Sequence, residues 1–177
     1  QGSVKSDKVI AKINSYIHSH LKEDLSMNVL SELAHFNPSY LSRLYKKKMG
    51  ISISDYIAQV RLKKACALLA ETDKKVSDIA AETGFASAGY FSSSFGKEYG
   101  VTPLEYRLLK VLTKNPQIVL TRQVLLEKLW DADGNFVDEH ALTAAISRVR
   151  NKIETDGRQY IKTVYGMGYM WIGGSQK

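Results

Sequence analysis

The stretch TPLEYRLLKVLTK, residues 102–114, separates two parts of the chain that differ in pattern. Its apolar residues recur every three or four positions, which predicts one helix from about Pro103 to Lys114; they are Leu104, Leu108, Val111 and Leu112. Almost every segment upstream has a helical pattern, whereas two alternating, β-rich segments lie near the C-terminus. We therefore expect this helix to join two small domains without a flexible linker.

The upstream part is predicted to be a series of helices bounded by capping and turn residues. Asn37-Pro38 is typical of a helix start, and Gly50 is typical of a position just after a helix end. The first helix is expected over residues 6–22 and a long one over residues 54–71; the other predicted starts are Ser26, Ser54, Val76 or Ser77, and Ser87. A short helix, a tight connection and an aromatic-bearing helix occur twice, so this part contains an internal repeat.

The downstream part has the element order of a winged helix. Asn115-Pro116 stops the first helix, and Thr121 and Asp138 are the predicted caps of the next two. The remaining elements are a loop over residues 131–135, a helix end at Asp156-Gly157, and two strands at residues 160–164 and 168–172. The C-terminus is therefore predicted to form a small β-hairpin.

Composition favours a soluble globular protein with a polyanionic partner. The 177 residues are 44% hydrophobic and 24% charged, which excludes a disordered or collagen-like chain. The net charge is +7, and both parts are basic, with 14 basic against 10 acidic residues in 1–101 and 11 against 8 in 102–177. Such a charge is typical of proteins that bind nucleic acids.

Other features of the sequence point to the cytoplasm. No apolar run approaches the ~20 residues that span a bilayer, so we expect neither a transmembrane nor a signal segment. Cys66 is the only cysteine and lies in an apolar helical pattern, which predicts a buried thiol in a reducing compartment. Gln1, Gly2 and Ser3 resemble the remnant of a cleaved tag, so the fold is expected to begin after them.

Four ordered blocks of the upstream part resemble the AraC/XylS-type DNA-binding domain, over about residues 7–107. They are Leu33-Ala34 with residues 41–47, residues 61–69, residues 76–85, and residues 90–107. The resemblance implies two helix-turn-helix units joined by a rigid helix. It also implies that two recognition helices face successive major-groove segments.

The downstream part resembles the OmpR/PhoB-type winged-helix effector of response regulators, over about residues 102–173. The resemblance is carried by residues 102–109, 120–126, Leu129-Trp130, Val137-Asp138, 146–153 and 160–169. Both resemblances include residues 102–107, so the predicted domains are 4–107 and 102–177 with a shared helix over 103–114. The sheet and receiver that precede this helix in the second family are missing, which favours an engineered or recombinant chimera over a natural fusion.

The first resemblance places candidate DNA contacts on two helices. In the first recognition helix they are Ser39, Ser42 and Arg43 towards the groove, with Lys46 and Lys47 towards phosphates. Arg43 suits a bidentate contact to guanine, whereas the alternative for the lysines is a solvated cationic face. Tyr40, Leu41, Leu44 and Tyr45 are expected on the buried face.

The second recognition helix is predicted to read DNA weakly or through backbone contacts alone. Its groove-facing positions are Ala88, Gly89, Ser92, Ser93 and Gly96, with Lys97 as a phosphate partner. The family commonly carries Arg at the Ser93 position and Lys at the Gly96 position. Small residues allow close approach to DNA but donate few hydrogen bonds.

The winged helix supplies a third set of candidates. Its third helix is expected to present His140, Thr143, Ala144, Ser147, Arg148 and Lys152, with Arg150 at the flank. Arg148 is the predicted base reader, and the alternative is a helix-surface ion pair. Lys162, Thr163 and Tyr165 lie on the predicted wing, where the family often has Arg at the Tyr165 position and where Lys162 can substitute.

The residues do not form a pattern that predicts catalysis or metal binding. The four histidines, His18, His20, His35 and His140, lack metal-ligand spacing, and no Ser/His/Asp set or phosphate-binding loop stands out. The expected protein is mainly α, with two helix-turn-helix units and a winged helix, and binds double-stranded DNA sequence-specifically without a cofactor. The alternative is a folded fusion or scaffold with little DNA affinity. A homodimer and RNA polymerase are further expected partners.

Overall fold

The computed structural model describes residues 2–129 and 138–176, and it confirms the mainly helical fold. The elements in chain order are α1 (Gly2–Ser19), α2 (Met27–Ala34), α3 (Pro38–Met49), α4 (Ile53–Glu71), α5 (Val76–Glu82), α6 (Ala88–Tyr99), α7 (Pro103–Lys114), β1 (Val119–Thr121), α8 (Arg122–Lys128), α9 (Glu139–Ile153), β2 (Arg158–Val164) and β3 (Gly168–Gln176). The predicted loop at residues 131–135, Trp130 and Val137 lie outside the described residues.

Side-chain caps begin four of the described helices, α3, α6, α8 and α9, at the predicted positions. The Asn37 side chain accepts a hydrogen bond from the Ser39 amide, and Ser87 accepts one from the Tyr90 amide. Thr121 and Asp138 cap α8 and α9 in the same way. Each of these bonds satisfies an amide that has no partner within its helix.

Some of the predicted helix starts and ends are wrong, and so is the predicted burial of the Cys66 side chain. Helix α1 begins at Gly2 and ends at Ser19, and α9 ends at Ile153, short of Asp156. The Ser26 hydroxyl donates to Asp24 instead of capping α2. The cap of α4 is not Ser54. The Ser52 hydroxyl, two residues earlier, accepts a hydrogen bond from the Asp55 amide at 3.1 Å. The lone cysteine, Cys66, is only partly buried.

The internal repeat extends beyond the two helix pairs that the sequence pattern indicates. The caps Asn37 and Ser87 lie 50 residues apart, as do the positive-φ glycines Gly50 and Gly100 that end α3 and α6. Helices α4 and α7 then start alike, since Ser52 bonds to Asp55 and Thr102 bonds to Glu105. The repeated unit is therefore a short helix, a recognition-type helix and the start of a third helix.

The chain forms two compact units, and the first comprises Gln1–Ala65 and Ala80–Ala86. Its core residues are Ile10, Ile13, Ile17, Leu25, Leu30, Ala34, Leu41, Tyr45, Ile53 and Ile57. Gly84 has φ +87°, and a Cβ there would collide with the Leu21 carbonyl oxygen, so this turn requires glycine. The Arg61 guanidinium donates to the same carbonyl at 3.1 Å.

The second unit comprises Cys66–Ile79 and Ser87–Lys177. Its main core contains Leu108, Leu112, Leu125, Leu129, Leu142, Ala145, Ile146, Val149, Ile161 and Tyr169. The Arg107 side chain is buried and donates to the carbonyls of Leu69, Thr72 and Lys74. One face of α7 thus holds the end of α4 while another packs in the winged-helix core.

The C-terminal sheet has three strands rather than the predicted two. Its order is β1-β3-β2, and both pairs are antiparallel. The predicted strands at residues 160–164 and 168–172 lie within β2 and β3, but β1 has only three residues and was not predicted. Gly168 lies against β1, where a Cβ would collide with the Leu120 carbonyl, so glycine allows this strand to pair.

Candidate nucleic-acid interface

Helix α3 separates a buried face from an exposed polar face, as predicted. Leu41 and Tyr45 are fully buried, and burial together with the nearby Tyr56 raises the pKa of the Tyr45 hydroxyl well above its usual value. The Tyr45 hydroxyl donates to Asn14 at 2.5 Å, which fixes α3 against α1. The exposed face contains all the predicted contact residues, namely Ser39, Ser42, Arg43, Lys46 and Lys47.

Tyr40 does not lie on the buried face, so that prediction is wrong. Its side chain is 46% exposed, and its ring meets the edge of Phe36 at a centroid distance of 5.1 Å. Position 90 is equivalent in the repeat, and Tyr90 is 64% exposed. Both tyrosines directly precede a fully buried residue, Leu41 or Phe91, and both rings lie outside the core.

Helix α6 has the same arrangement but offers few hydrogen-bond donors. Phe91 and Phe95 are buried, Ser93 and Lys97 are exposed, and Ser92 is half-buried. A Cβ added at Gly89 or Gly96 would meet no heavy atom within 4 Å. Packing therefore does not require glycine at these two positions. Because glycine has no side chain, the helix backbone is less covered there.

Helix α9 presents its polar face opposite a stripe of buried residues. The stripe consists of Leu142, Ala145, Ile146 and Val149, at most 2% exposed. His140, Ala144, Ser147 and Asn151 are exposed and lie on the opposite face at helical spacing. Asn151 was not predicted, although it lies four residues after Ser147 and carries the amide that pairs with adenine.

Two predicted contact residues of α9, Arg148 and Lys152, are ion-paired with Glu105 of α7. The Glu105 side chain is 2% exposed; its Oε1 lies 3.1 Å from Arg148 Nε and its Oε2 lies 2.6 Å from Lys152 Nζ. Burial raises the pKa of Glu105, but hydrogen bonds from Lys152, the Thr102 amide and Arg148 lower it below its usual value. The alternative for Arg148 was an ion pair on the helix surface; the pair present is instead with a buried carboxylate of α7, and the Arg148 side chain remains 58% exposed.

Thr143 is held by a residue that the sequence did not single out. Arg122, at the start of α8, donates from Nη2 to the Thr143 hydroxyl at 2.7 Å and to the Glu139 carbonyl at 2.9 Å. Its Nη1 donates to the Tyr169 hydroxyl at 2.9 Å. Arg122 therefore ties the start of α9 to β3.

The hairpin of β2 and β3 places the wing residues beside α9. Arg150 donates to the Thr163 hydroxyl at 2.8 Å and to the Ile161 carbonyl, so the helix and the wing are joined at this point. Lys162 is exposed, and Tyr165 at the turn is 92% exposed. A groove between the helix and the sheet is lined by Thr143, Ser147, Arg150, Asn151, Glu154 and Tyr169.

Two protein families match the chain, and their ranges overlap. The family described as "Helix-turn-helix domain" matches residues 30–108. The family described as "Transcriptional regulatory protein, C terminal" matches residues 96–171. The chain contains a helix-turn-helix DNA-binding domain. All of the matched residues, 30–108, lie upstream of α8.

Individual proteins are similar in sequence to about half of this chain. An uncharacterized HTH-type transcriptional regulator, YtdP, of Bacillus subtilis is 40% identical over 94 residues, which is 53% of this chain and 12% of YtdP. The bifunctional transcriptional activator/DNA repair enzyme AdaA of the same species is 38% identical over 95 residues, 54% of this chain and 45% of AdaA. The chain therefore spans less than half the length of these curated relatives.

A solved structure is similar to the helix-turn-helix domain as well. It is the C-terminal domain of AraT, a response regulator from Geobacillus stearothermophilus, with a TM-score of 0.54 and 34% identity. The similarity covers 56% of this chain and 83% of that domain.

Two other kinds of feature are absent from the described residues. Residues 2–129 and 138–176 contain no group of three or more His, Cys, Asp or Glu side chains able to hold a metal ion. No helix in this part of the chain is long and apolar enough to cross a membrane.

Proposed function

We propose that this chain binds double-stranded DNA sequence-specifically, as the DNA-binding part of a transcription regulator. In this proposal α3, α6 and α9 enter major grooves, and the turn between β2 and β3 lies near a minor groove. One observation carries it: each of these three helices buries one apolar stripe and exposes short polar or cationic side chains on the opposite face. The family matches support the same function.

The proposed contacts divide into base readers and phosphate partners. Arg43 and Arg148 are the proposed guanine readers, because a guanidinium matches the two acceptors of guanine. The remaining proposed contacts are Ser39, Ser42, Lys46 and Lys47 on α3, Ser92, Ser93 and Lys97 on α6, His140, Thr143, Ser147 and Lys152 on α9, and Lys162, Thr163 and Tyr165 on the wing. Helix α6 contributes least, since Lys97 is the single cation among its proposed contacts.

We also propose that residues 4–107 are an AraC/XylS-type unit and residues 102–177 an OmpR/PhoB-type winged helix. The overlap of the two family ranges at residues 96–108 supports a shared helix, because that overlap includes the first half of α7. An engineered or recombinant chimera, with a tag remnant at residues 1–3, is the proposed origin.

The proposed setting is that of a bacterial-type regulator that is not an enzyme. RNA polymerase and a second copy of the chain are proposed partners beside DNA, and the cytoplasm is the proposed location. AdaA is named as both an activator and a DNA repair enzyme, but the match covers only 45% of it. We assign this chain the DNA-binding role alone.

A salt-titrated binding assay on random duplexes, followed by site selection, tests the function. The association constant is expected to fall steeply with salt, by a logarithmic slope near −0.9 for each phosphate neutralised, and selection should return one motif. Micromolar or weaker association that does not depend on salt would instead support the scaffold alternative.

A pair of charge variants provides the matched control. Changing Lys46 and Lys47 to Gln should reduce the magnitude of the salt slope by about two. Changing the exposed pair Lys63 and Lys64 on α4 to Gln removes the same charge but should leave the slope nearly unchanged. Equal effects of the two pairs would contradict the assignment of α3.

A further inference from the structure

We infer that Glu105 is a positioning residue for DNA recognition, which holds the guanidinium of Arg148 by its Nε and leaves its outer nitrogens for DNA. This inference rests on the proposed function. Glu105 is not one of the proposed DNA contacts, and it lies on α7 rather than on α9. It would therefore act through Arg148 and not by touching a base.

The carboxylate of Glu105 is fixed by three hydrogen bonds in a buried position. Its Oε2 accepts from the Lys152 ammonium at 2.6 Å and from the Thr102 amide at 3.0 Å. Its Oε1 accepts from Arg148 Nε at 3.1 Å. With the Glu105 side chain 2% exposed, neither oxygen can turn to water without leaving these donors.

The position of this carboxylate is set by α7. The Thr102 hydroxyl accepts from the Glu105 amide at 3.2 Å, which completes a reciprocal capping box at the start of the helix. Leu108 and Leu112 of the same helix are fully buried in the core. Arg148 is therefore held from a rigid neighbouring element.

Anchoring at Nε suits a base-reading arginine. A guanidinium carries five N–H donors in a planar fork, so a bond at Nε leaves four donors on the two outer nitrogens. The Arg148 side chain is 58% exposed, so these nitrogens are accessible to a ligand. A side chain held in one orientation before binding loses less conformational freedom when DNA arrives.

Lys152 compensates the negative charge of Glu105, which would otherwise oppose the approach of the DNA phosphates. An uncompensated carboxylate near DNA would repel phosphates, but Lys152 lies 2.6 Å from Glu105 Oε2. The three residues together carry one net positive charge, which attracts DNA.

The test compares Glu105→Gln with Glu71→Gln and Arg148→Ala in site selection and salt-titrated binding. Gln at position 105 retains an acceptor for the capping box but removes the charge, and Glu71 is an exposed residue of α4 whose change alters the net charge equally. Arg148→Ala should reduce discrimination at one base pair roughly five- to hundredfold. Glu105→Gln should reduce it at the same base pair by about threefold or more, with equal or tighter binding to random DNA, whereas Glu71→Gln should keep the motif.

An NMR measurement on the free protein tests the hydrogen bond between Arg148 Nε and Glu105 in the absence of DNA. The Arg148 Nε proton is identified by the loss of its resonance in Arg148→Ala. This proton should exchange slowly with water in the unaltered chain and in Glu71→Gln, and rapidly in Glu105→Gln. The inference is overturned if Glu105→Gln retains the motif of the unaltered chain, or if Arg148→Ala leaves every base preference unchanged. Absence of DNA binding by the unaltered chain would instead contradict the proposed function itself.

Discussion

At the scale of single residues, Arg43 and Lys47 of α3 are predicted to contribute differently to binding. Both are exposed, but a guanidinium discriminates between bases, whereas an ammonium towards phosphate does not. Arg43→Ala should lose roughly 1–3 kcal/mol of binding free energy and relax the preference at one base pair. Lys47→Ala should weaken binding to all sequences alike and reduce the salt slope by about one. If Arg43→Ala leaves the selected motif unchanged, the assignment of this face is wrong.

Two glycines, Gly96 within α6 and Gly100 directly after it, should respond oppositely to substitution by alanine. Gly96 lies within the helix, and a Cβ there meets no atom within 4 Å, so Gly96→Ala should stabilise the chain by about 1 kcal/mol. Gly100 has equally open surroundings but φ +74°, so Gly100→Ala should destabilise it by about 1 kcal/mol. Urea unfolding measures both changes. Destabilisation by Gly96→Ala would indicate a contact that the fold does not show.

At the scale of elements, the exposed face of α6 lacks the arginine that the AraC/XylS resemblance leads one to expect. Ser93 is exposed, so Ser93→Arg should strengthen DNA binding without disturbing the buried Phe91 and Phe95. Thr113→Arg adds the same charge to an exposed position of α7 and serves as the control in a binding titration. If the two variants increase DNA affinity equally, the increase is due to net charge and not to the position of Ser93.

The start of α7 should be sensitive to acid. The pKa of Glu105 is lowered below its usual 4.5, so the folded chain binds this proton less readily than the unfolded chain. The stabilisation is therefore complete above pH 4.5 and is lost as the pH falls through the lowered pKa. The unfolding free energy of the unaltered chain should fall towards that of Glu105→Gln in acid. Parallel pH profiles for the two proteins would contradict this.

At the scale of the whole molecule, α7 is predicted to couple the parts of the chain on either side of Arg107. Arg107 holds the end of α4, whereas Leu108 and Leu112 pack in the winged-helix core. Inserting Gly-Gly after Arg107 should interrupt the helix and rotate these contacts apart by about 200°. Calorimetry should then show two melting transitions in place of one. Independently tumbling parts in the unaltered chain, measured by NMR relaxation, would contradict the shared helix.

Local signals in the sequence determined the helices, the repeat and the polar faces. The capping residues Asn37, Ser87, Thr121 and Asp138 act on amides two or three positions away, so a short stretch is sufficient to predict them. Helical spacing separates buried from exposed positions on α3, α6 and α9 for the same reason. Tyr40 is the exception, because a large aromatic ring is equally compatible with a core or with an exposed edge.

Only the tertiary structure decided the contacts between residues distant in sequence. Glu105 meets Arg148 and Lys152 across more than 40 residues, and three-residue β1 becomes a strand only by pairing with β3. A charge pattern does not specify which carboxylate faces which cation, since many pairings satisfy the same composition. The sequence by itself determined where α3, α6, α8 and α9 begin and which faces α3, α6 and α9 expose, because those interactions are local. The packing of α7 against its neighbours decided how Arg148 is held, because burying Glu105 requires donors that only the folded chain brings together.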